Sequence, residues 1–313
     1  KFGRGAFVLV AGYCGTLLPA LGFFNLYPQR YSFVADHFQY HAMPILILAL
    51  VVAAKRCFNL LGENNHRAKP LALVFGLVVV FVFAFKSMHS IGRFADEESL
   101  WHATIHDNPD AWLAHNNLAH LFLAGAVKDK GDDPKDALFA ALYHLKECLR
   151  LKPDASHAHA NIATVYRRLG MAQDAELNYL KSIKHSRSRD ETLRFHHDLA
   201  GFYAEQNTRE KAFIHFDLAT SLLLEGDVNI RRSIVMNKAK VWANQKNFSE
   251  AIRVLEEAMR ADQVYVEYRF FLAQMHCASG DVHAAQHQAD KILALDGQTQ
   301  RVKEIMASCS KPL

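Results

Sequence analysis

The stretch Ser156-His157-Ala158-His159-Ala160-Asn161-Ile162-Ala163-Thr164-Val165-Tyr166-Arg167-Arg168-Leu169-Gly170-Met171-Ala172-Gln173-Asp174-Ala175-Glu176-Leu177-Asn178-Tyr179-Leu180-Lys181-Ser182 decides the reading of two-thirds of the chain. Ile162, Ala163 and Tyr166 recur at helical spacing before Gly170, and Ala175, Tyr179 and Ser182 do so after it. That pattern predicts two helices joined by a glycine turn. Small residues are required where the two helices cross closely, and large ones fill the gap between one hairpin and the next.

The pattern repeats along the chain. A third unit begins near Leu193, with Leu199, Ala200 and Tyr203, then Ala212, Phe216 and Ala219. A fourth begins near Arg232, with Ala239 and Trp242, then Ala251, Leu255 and Ala258. A fifth begins near Val266, with Leu272, Ala273 and His276, then Ala285, Ala289 and Ile292, and Gly280 at its turn. The first begins at Trp112, with Leu118, Ala119 and Phe122, then Ala141, Leu145 and Cys148. Its turn holds a polar, Gly/Asp-rich insertion at residues 127–134. A unit of about 34 residues with these positions resembles the tetratricopeptide repeat (TPR). The fold expected is all-α, ending in a TPR α-solenoid of about five hairpins over residues 112–313, with a cap helix from Gln298 onward. Such a stack forms a right-handed superhelix with a concave face. The groove-lining positions would be Asn116, His120, His157, Thr164, Arg167, Arg194, His197 and Lys240. They are polar and mildly basic, which suits an acidic or extended protein or peptide partner. The alternative is a solvated face without a ligand.

Composition changes sharply upstream. Apolar runs occupy residues 6–24, 42–54 and 71–85. A spanning helix needs about 17–25 residues. The first run meets that length, and the others meet it with aromatic and Lys flanks at the interfaces. Residues 1–90 are therefore expected to be a membrane domain of about three transmembrane helices, in contact with membrane lipid, and residues 91–111 a junction helix. Lys1 and Arg4 precede the first run, and Lys55, Arg56, Arg67 and Lys69 lie between the second and third. The positive-inside rule puts those segments in the cytoplasm. It puts the loop of residues 25–41 outside, and the solenoid of this multi-pass chain on the periplasmic or lumenal side. The opening Lys-Phe-Gly-Arg reads as the C-terminal part of a longer protein.

The outer loop carries Arg30, Asp36, His37 and Tyr40. Arg30 could bind a phosphate bidentately. Asp36 and His37 could orient a sugar hydroxyl or hold Arg30. The plainer reading is an interfacial aromatic belt with an Asp–Arg pair for solubility. Three stretches add a resemblance: Val34-Ala35-Asp36-His37-Phe38-Gln39-Tyr40, Asp96-Glu97-Glu98-Ser99-Leu100-Trp101, and Asn108-Pro109 followed by Trp112 and His115-Asn116-Asn117-Leu118-Ala119. Together they resemble the C-terminal portion of multi-pass C-type-fold glycosyltransferases that end in TPRs, such as the transmembrane and TPR-containing O-mannosyltransferases and their bacterial homologues. The resemblance implies a transferase using a polyprenyl-phosphate-linked sugar donor, with the acceptor polypeptide held by the repeats. It places the lipid-phosphate and sugar contacts at Arg30, Asp36, His37 and Tyr40, with His37 standing where many relatives have Arg. The family's essential acidic residue belongs to an earlier outer loop, so no catalytic residue is assigned among these 313 residues. The competing expectation is a non-catalytic, membrane-anchored TPR adaptor of the cell envelope.

Other chemistry is less favoured. A formal net charge of +4, without a basic stripe interleaved with aromatics, gives no footprint for nucleic acid. The five cysteines, Cys14, Cys57, Cys148, Cys277 and Cys309, form no CxxC pair, and no disulfide framework can be read from their spacing. Of the close histidine pairs His157/His159, His196/His197 and His102/His106, only the last has the i, i+4 spacing that puts both on one helix face, and a metal needs three or four ligands. His115, His159 and His196 fall at the fourth position of their repeats and are expected to pack between helices. Glycine-rich nucleotide loops and nucleophile elbows are absent.

Overall fold

The computed structural model describes residues 4–18, 39–60, 68–125, 134–296 and 299–309, and every regular element among them is helical. Residues 1–103 and 104–313 form two compact units.

The first unit holds α1 (Arg4–Leu17), α2 (Gln39–Leu60) and α3 (Ala68–Ile91). α1 packs on α2, where a Cβ at Gly12 would lie 3.4 Å from Ile45 Cδ1. From Leu73 to Phe83 the only non-apolar position of α3 is Gly76, and its large side chains are exposed on every side. The segment Leu73–Phe94, with a mean hydropathy of 2.0, is the one helix among the described residues long and apolar enough to cross a membrane. The apolar part of α1, Phe7–Leu17, is shorter. α2 has 22 residues and contains Pro44, and its apolar stretch is bounded by Gln39-Tyr40-His41 and Lys55-Arg56. After a 3-10 turn, Gly92–Phe94, α4 (Glu97–Asp107) starts on a cap: Ser99 N–H donates to Asp96 Oδ1 at 2.8 Å. Glu97 and Glu98 in its first turn complement the positive end of the helix.

The second unit stacks five hairpins: α5 (Trp112–Ala124) with α6 (Pro134–Leu151), α7 (Ser156–Arg168) with α8 (Ala172–Lys184), α9 (Arg189–Glu205) with α10 (Arg209–Ser221), α11 (Val228–Asn244) with α12 (Phe248–Ala261), and α13 (Val266–Ser279) with α14 (Val282–Asp296). The small residues of the repeat lie at the helix crossings. Ala119, Ala163, Ala200, Ala239 and Ala273 on the first helices, and Ala141, Ala175, Ala212, Ala251 and Ala285 on the second, are all completely buried. Leu118, Leu145, Tyr179, Leu199, Phe216, Leu255 and Leu272 fill the space around them. Each such burial contributes about 1.5–3 kcal/mol. The fourth hairpin departs from the pattern, with Lys238 where the others have Leu118, Ile162, Leu199 and Leu272. Lys238 buries its stem and places Nζ 2.6 Å from Asp217 Oδ1 on α10.

One turn recurs four times. Gly170, Asn207, Lys246 and Gly280 occupy the same place in their hairpins, and all have positive φ, from 54° to 84°. The following N–H donates back to the carbonyl five residues earlier: Met171 to Tyr166, Thr208 to Tyr203, Asn247 to Trp242 and Asp281 to His276. These are Schellman closures, which satisfy carbonyls at the helix end. Asn207 and Lys246 accept a conformation that favours glycine.

α9 and α11 each start four residues earlier than the apolar pattern suggests, at Arg189 and Val228. Ser188 caps α9 by accepting from Glu191 N–H, and Asp227 at the head of α11 accepts from Arg189 Nη1 at 2.5 Å. At the far end, α15 (Thr299–Cys309) closes the stack, burying Val302 and Ile305 against Phe270, Ala289 and Ile292. A disulfide, Cys277–Cys309, ties it to α13, with the two Cα atoms 4.6 Å apart. Arg301 pairs with Glu267 and stacks on Phe270.

Candidate protein-binding groove

The first helices of consecutive hairpins lie side by side, so equivalent positions from neighbouring repeats meet on one face. A cavity of about 330 Å³ opens on that face across α7, α9 and α11. Its lining includes Arg167, His197 and Lys240, three of the residues expected from sequence, together with Asp198, Gly201, Glu205, Asn237 and Asn244.

The side chains there hold one another in defined states. Ser233 Oγ lies 3.0 Å from His197 Nε2, and Asn237 Nδ2 lies 3.2 Å from it. Both groups can donate, so Nε2 accepts and the ring carries its proton on Nδ1, which faces Asp198 at 3.5 Å. Arg167 Nη1 donates to Glu205 Oε1 at 3.3 Å. Glu205 is thereby paired with a cation, while Asp198 faces the neutral His197 ring. Lys240 is exposed and forms no ion pair or hydrogen bond among the described residues. At the floor, a Cβ at Gly201 would meet nothing within 4 Å, so the missing side chain leaves open room. The cavity thus offers a free ammonium, two amide side chains and space.

The remaining sequence candidates are dispersed. Asn116 accepts from Asn161 Nδ2 at 3.2 Å, linking the first two hairpins. Thr164 Oγ donates to Ala160 O at 3.1 Å, as helical threonines commonly do. His157 packs edge-on against Phe195, with Nε2 3.6 Å from Glu191. His120 and Arg194 are exposed and do not line the cavity. Of the outer-loop set, Arg30, Asp36 and His37 lie outside the described residues, and Tyr40 is exposed in the first turn of α2. Sequence reasoning missed Gly201, Asn237 and Asn244; extending the position count to the sixth, ninth and thirteenth residues of the neighbouring units would have found them.

The fourth-position histidines do pack between helices. His115 Nε2 lies 3.2 Å from Pro109 O and Nδ1 3.0 Å from His144 Nδ1. His159 Nε2 lies 3.1 Å from Pro153 O and Nδ1 3.3 Å from Asn178 Oδ1. His196 and His215 stack, with their Nδ1 atoms 2.9 Å apart, so one donates and the other accepts. Burial holds His159, His196 and His215 below the ordinary histidine range, and His196 adds to the effect on His215. Beside them Tyr203 OH donates to Glu176 at 2.6 Å, and with Lys211 this holds the Glu176 carboxyl below its usual range. Among the described residues, no three His, Cys, Asp or Glu side chains are placed to hold a metal ion.

No protein-family model and no curated protein matches the sequence. Solved structures do match the shape. The TPR-like repeats of a Podospora anserina protein of kinesin-light-chain type superpose with a TM-score of 0.50 at 16% identity, covering 62% of this chain and 99% of that one. The shared property is the fold, a TPR-like α-solenoid. PilF of Pseudomonas aeruginosa (TM-score 0.47, 19% identity, 64% of this chain and 89% of that chain) is also similar. So is YrrB, described as a TPR protein with an unusual peptide-binding site (0.44, 15%, 65% and 96%).

Proposed function

We propose that this chain is a membrane-anchored TPR module whose groove binds an extended segment of a partner protein. The observation that carries the reading is the cavity at Gly201, where Lys240 has no ion-pair partner among the described residues while Arg167 pairs with Glu205. An acidic side chain or a backbone carbonyl of the partner would meet Lys240, and Asn237 and Asn244 would hydrogen-bond its main chain. The apolar α3 and the charge pattern of the short loops support anchorage in a bilayer with the solenoid on the periplasmic or lumenal side. The disulfide supports the same side, since such bonds persist in oxidising compartments. The test is a photo-crosslinking residue at Asn244 in the full chain in its native membrane. Capture of a polypeptide, lost with Gly201→Trp and weakened roughly tenfold by Lys240→Glu, is the expected result. Identical capture in both variants rejects the groove as the binding site.

A second reading is that the chain is the C-terminal part of a transferase using a polyprenyl-phosphate-linked sugar, with the groove holding the acceptor. It is favoured by the placement of Tyr40, the last residue of the resembling segment, in the first turn of a long apolar helix. Arg30, Asp36 and His37 would then contact the lipid phosphate and sugar. Unchanged sugar transfer in an Arg30→Ala, Asp36→Asn double variant of the intact protein would remove this reading.

A further inference from the structure

The fifth hairpin breaks the polar layer that runs between helices in the first three. Where those have His115, His159 and His196, it has Arg269, and nineteen residues on it has Gln288, as α8 has Asn178 and α10 has His215. The fourth hairpin has Val235 and Val254 there. The first three hairpins use side chains that can stay neutral. A guanidinium is always charged, and half-burying it against a neutral amide has an electrostatic cost.

Arg269 does not recover that cost among the described residues. Nη1 donates to Gln288 Oε1 at 3.3 Å, and among the described residues the buried Nε has no acceptor and no carboxylate pairs with the guanidinium. His115 and His159 each reach a carbonyl six residues back, and Arg269 makes no such bond. Arg269 instead lines a cavity of about 350 Å³ between α12 and the fifth hairpin. Arg260 and Lys291 line it too, and neither has an ion pair or hydrogen bond among the described residues. Glu256 is the one carboxylate in the lining, against three cations. None of these residues belongs to the groove cavity.

We propose that this cavity is an oxyanion site for a phosphate group, free or as a monoester. The excess of two positive charges over Glu256 matches the charge of phosphate near neutral pH, and the planar fork of Arg269 suits paired contacts to its oxygens. Gln263 and Gln288 in the lining carry further amide donors. A free phosphate and a lipid headgroup share this chemistry, so the probes are inorganic phosphate and glycerol 3-phosphate.

The experiment is calorimetric titration of the full chain in detergent at constant ionic strength, with acetate as control. One saturable phosphate site is expected, absent for acetate and weakened at least tenfold in Arg269→Gln and in Lys291→Ala. Glu256→Gln should tighten it two- to threefold. Tighter binding of glycerol 3-phosphate than of phosphate assigns the site to a headgroup, and equal binding assigns it to free phosphate. No saturable binding overturns the proposal. So does wild-type affinity in Lys291→Ala and Arg260→Ala, two surface variants that do not depend on the fold tolerating the loss of Arg269.

Discussion

α3 and α9 are both long helices, yet they treat apolar side chains in opposite ways. α9 buries Leu193, Phe195, Leu199, Ala200, Phe202 and Tyr203 against neighbouring helices. α3 is far more apolar, and its Leu73, Phe75, Val80, Phe81 and Phe83 remain about two-thirds exposed. Burial inside the protein follows from having an apolar stripe that a neighbour can cover, not from total hydropathy. A helix apolar on every face requires an apolar medium around it, which is the physical ground for proposing a bilayer at α3.

The largest test of this contrast is Phe216→Ala against Val80→Ala. Removing the fully buried Phe216 side chain should cost about 3–5 kcal/mol. That lowers the thermal midpoint of the solenoid by roughly 10 °C. Val80→Ala should leave that midpoint unchanged in the same calorimetric scan, and a matching drop would break the comparison. Next comes Val80→Arg, expected to disfavour membrane insertion by about 3–4 kcal/mol, the Arg cost plus the lost Val contribution. Alkaline washing of membranes should release more of this variant than of the wild type; equal retention would mean that α3 is not held by lipid.

The smallest effect is on pH dependence. Burial lowers the folded-state pKa of His159, His196 and His215 below the ordinary value of 6.5, so the unfolded chain binds more protons as pH falls. Their contribution to stability is complete above pH 6.5 and declines as the pH falls from there toward the folded values. The solenoid midpoint should drop between pH 7.5 and 5.5, with less drop in a His196→Gln, His215→Gln variant. α3 has no titratable group between Leu73 and Phe85 and should not respond. A midpoint that rises on acidification would reverse the assigned sign.

The hairpins were legible from sequence because the small and large residues of a repeat act locally, at helical spacing. The alanines at the crossings and the turns at Gly170 and Gly280 follow directly from that. The turn at Lys246 does not, because lysine does not announce a left-handed conformation; Asn207, of a type that tolerates it, signals its turn only weakly. In the groove, Arg167, His197 and Lys240 could be named by counting within a unit. Gly201, Asn237 and Asn244 matter only because adjacent repeats bring them beside those three. The same limit hid His215 and Asn178, whose pairing depends on the register of the two helices in a hairpin. Lys238 breaks the apolar pattern and is explained only by Asp217 on the preceding hairpin. Cys277 and Cys309 are 32 residues apart and meet only because α15 folds back on α13.

A linear stack loses order from its ends, where a hairpin has one neighbour in place of two. The covalent link between α13 and α15 closes one of those starting points, since the last helix cannot peel away alone. The first hairpin, α5 with α6, has no such covalent link among the described residues. In a reducing solution both ends are open, so the direction in which the solenoid unravels records whether the bond has formed.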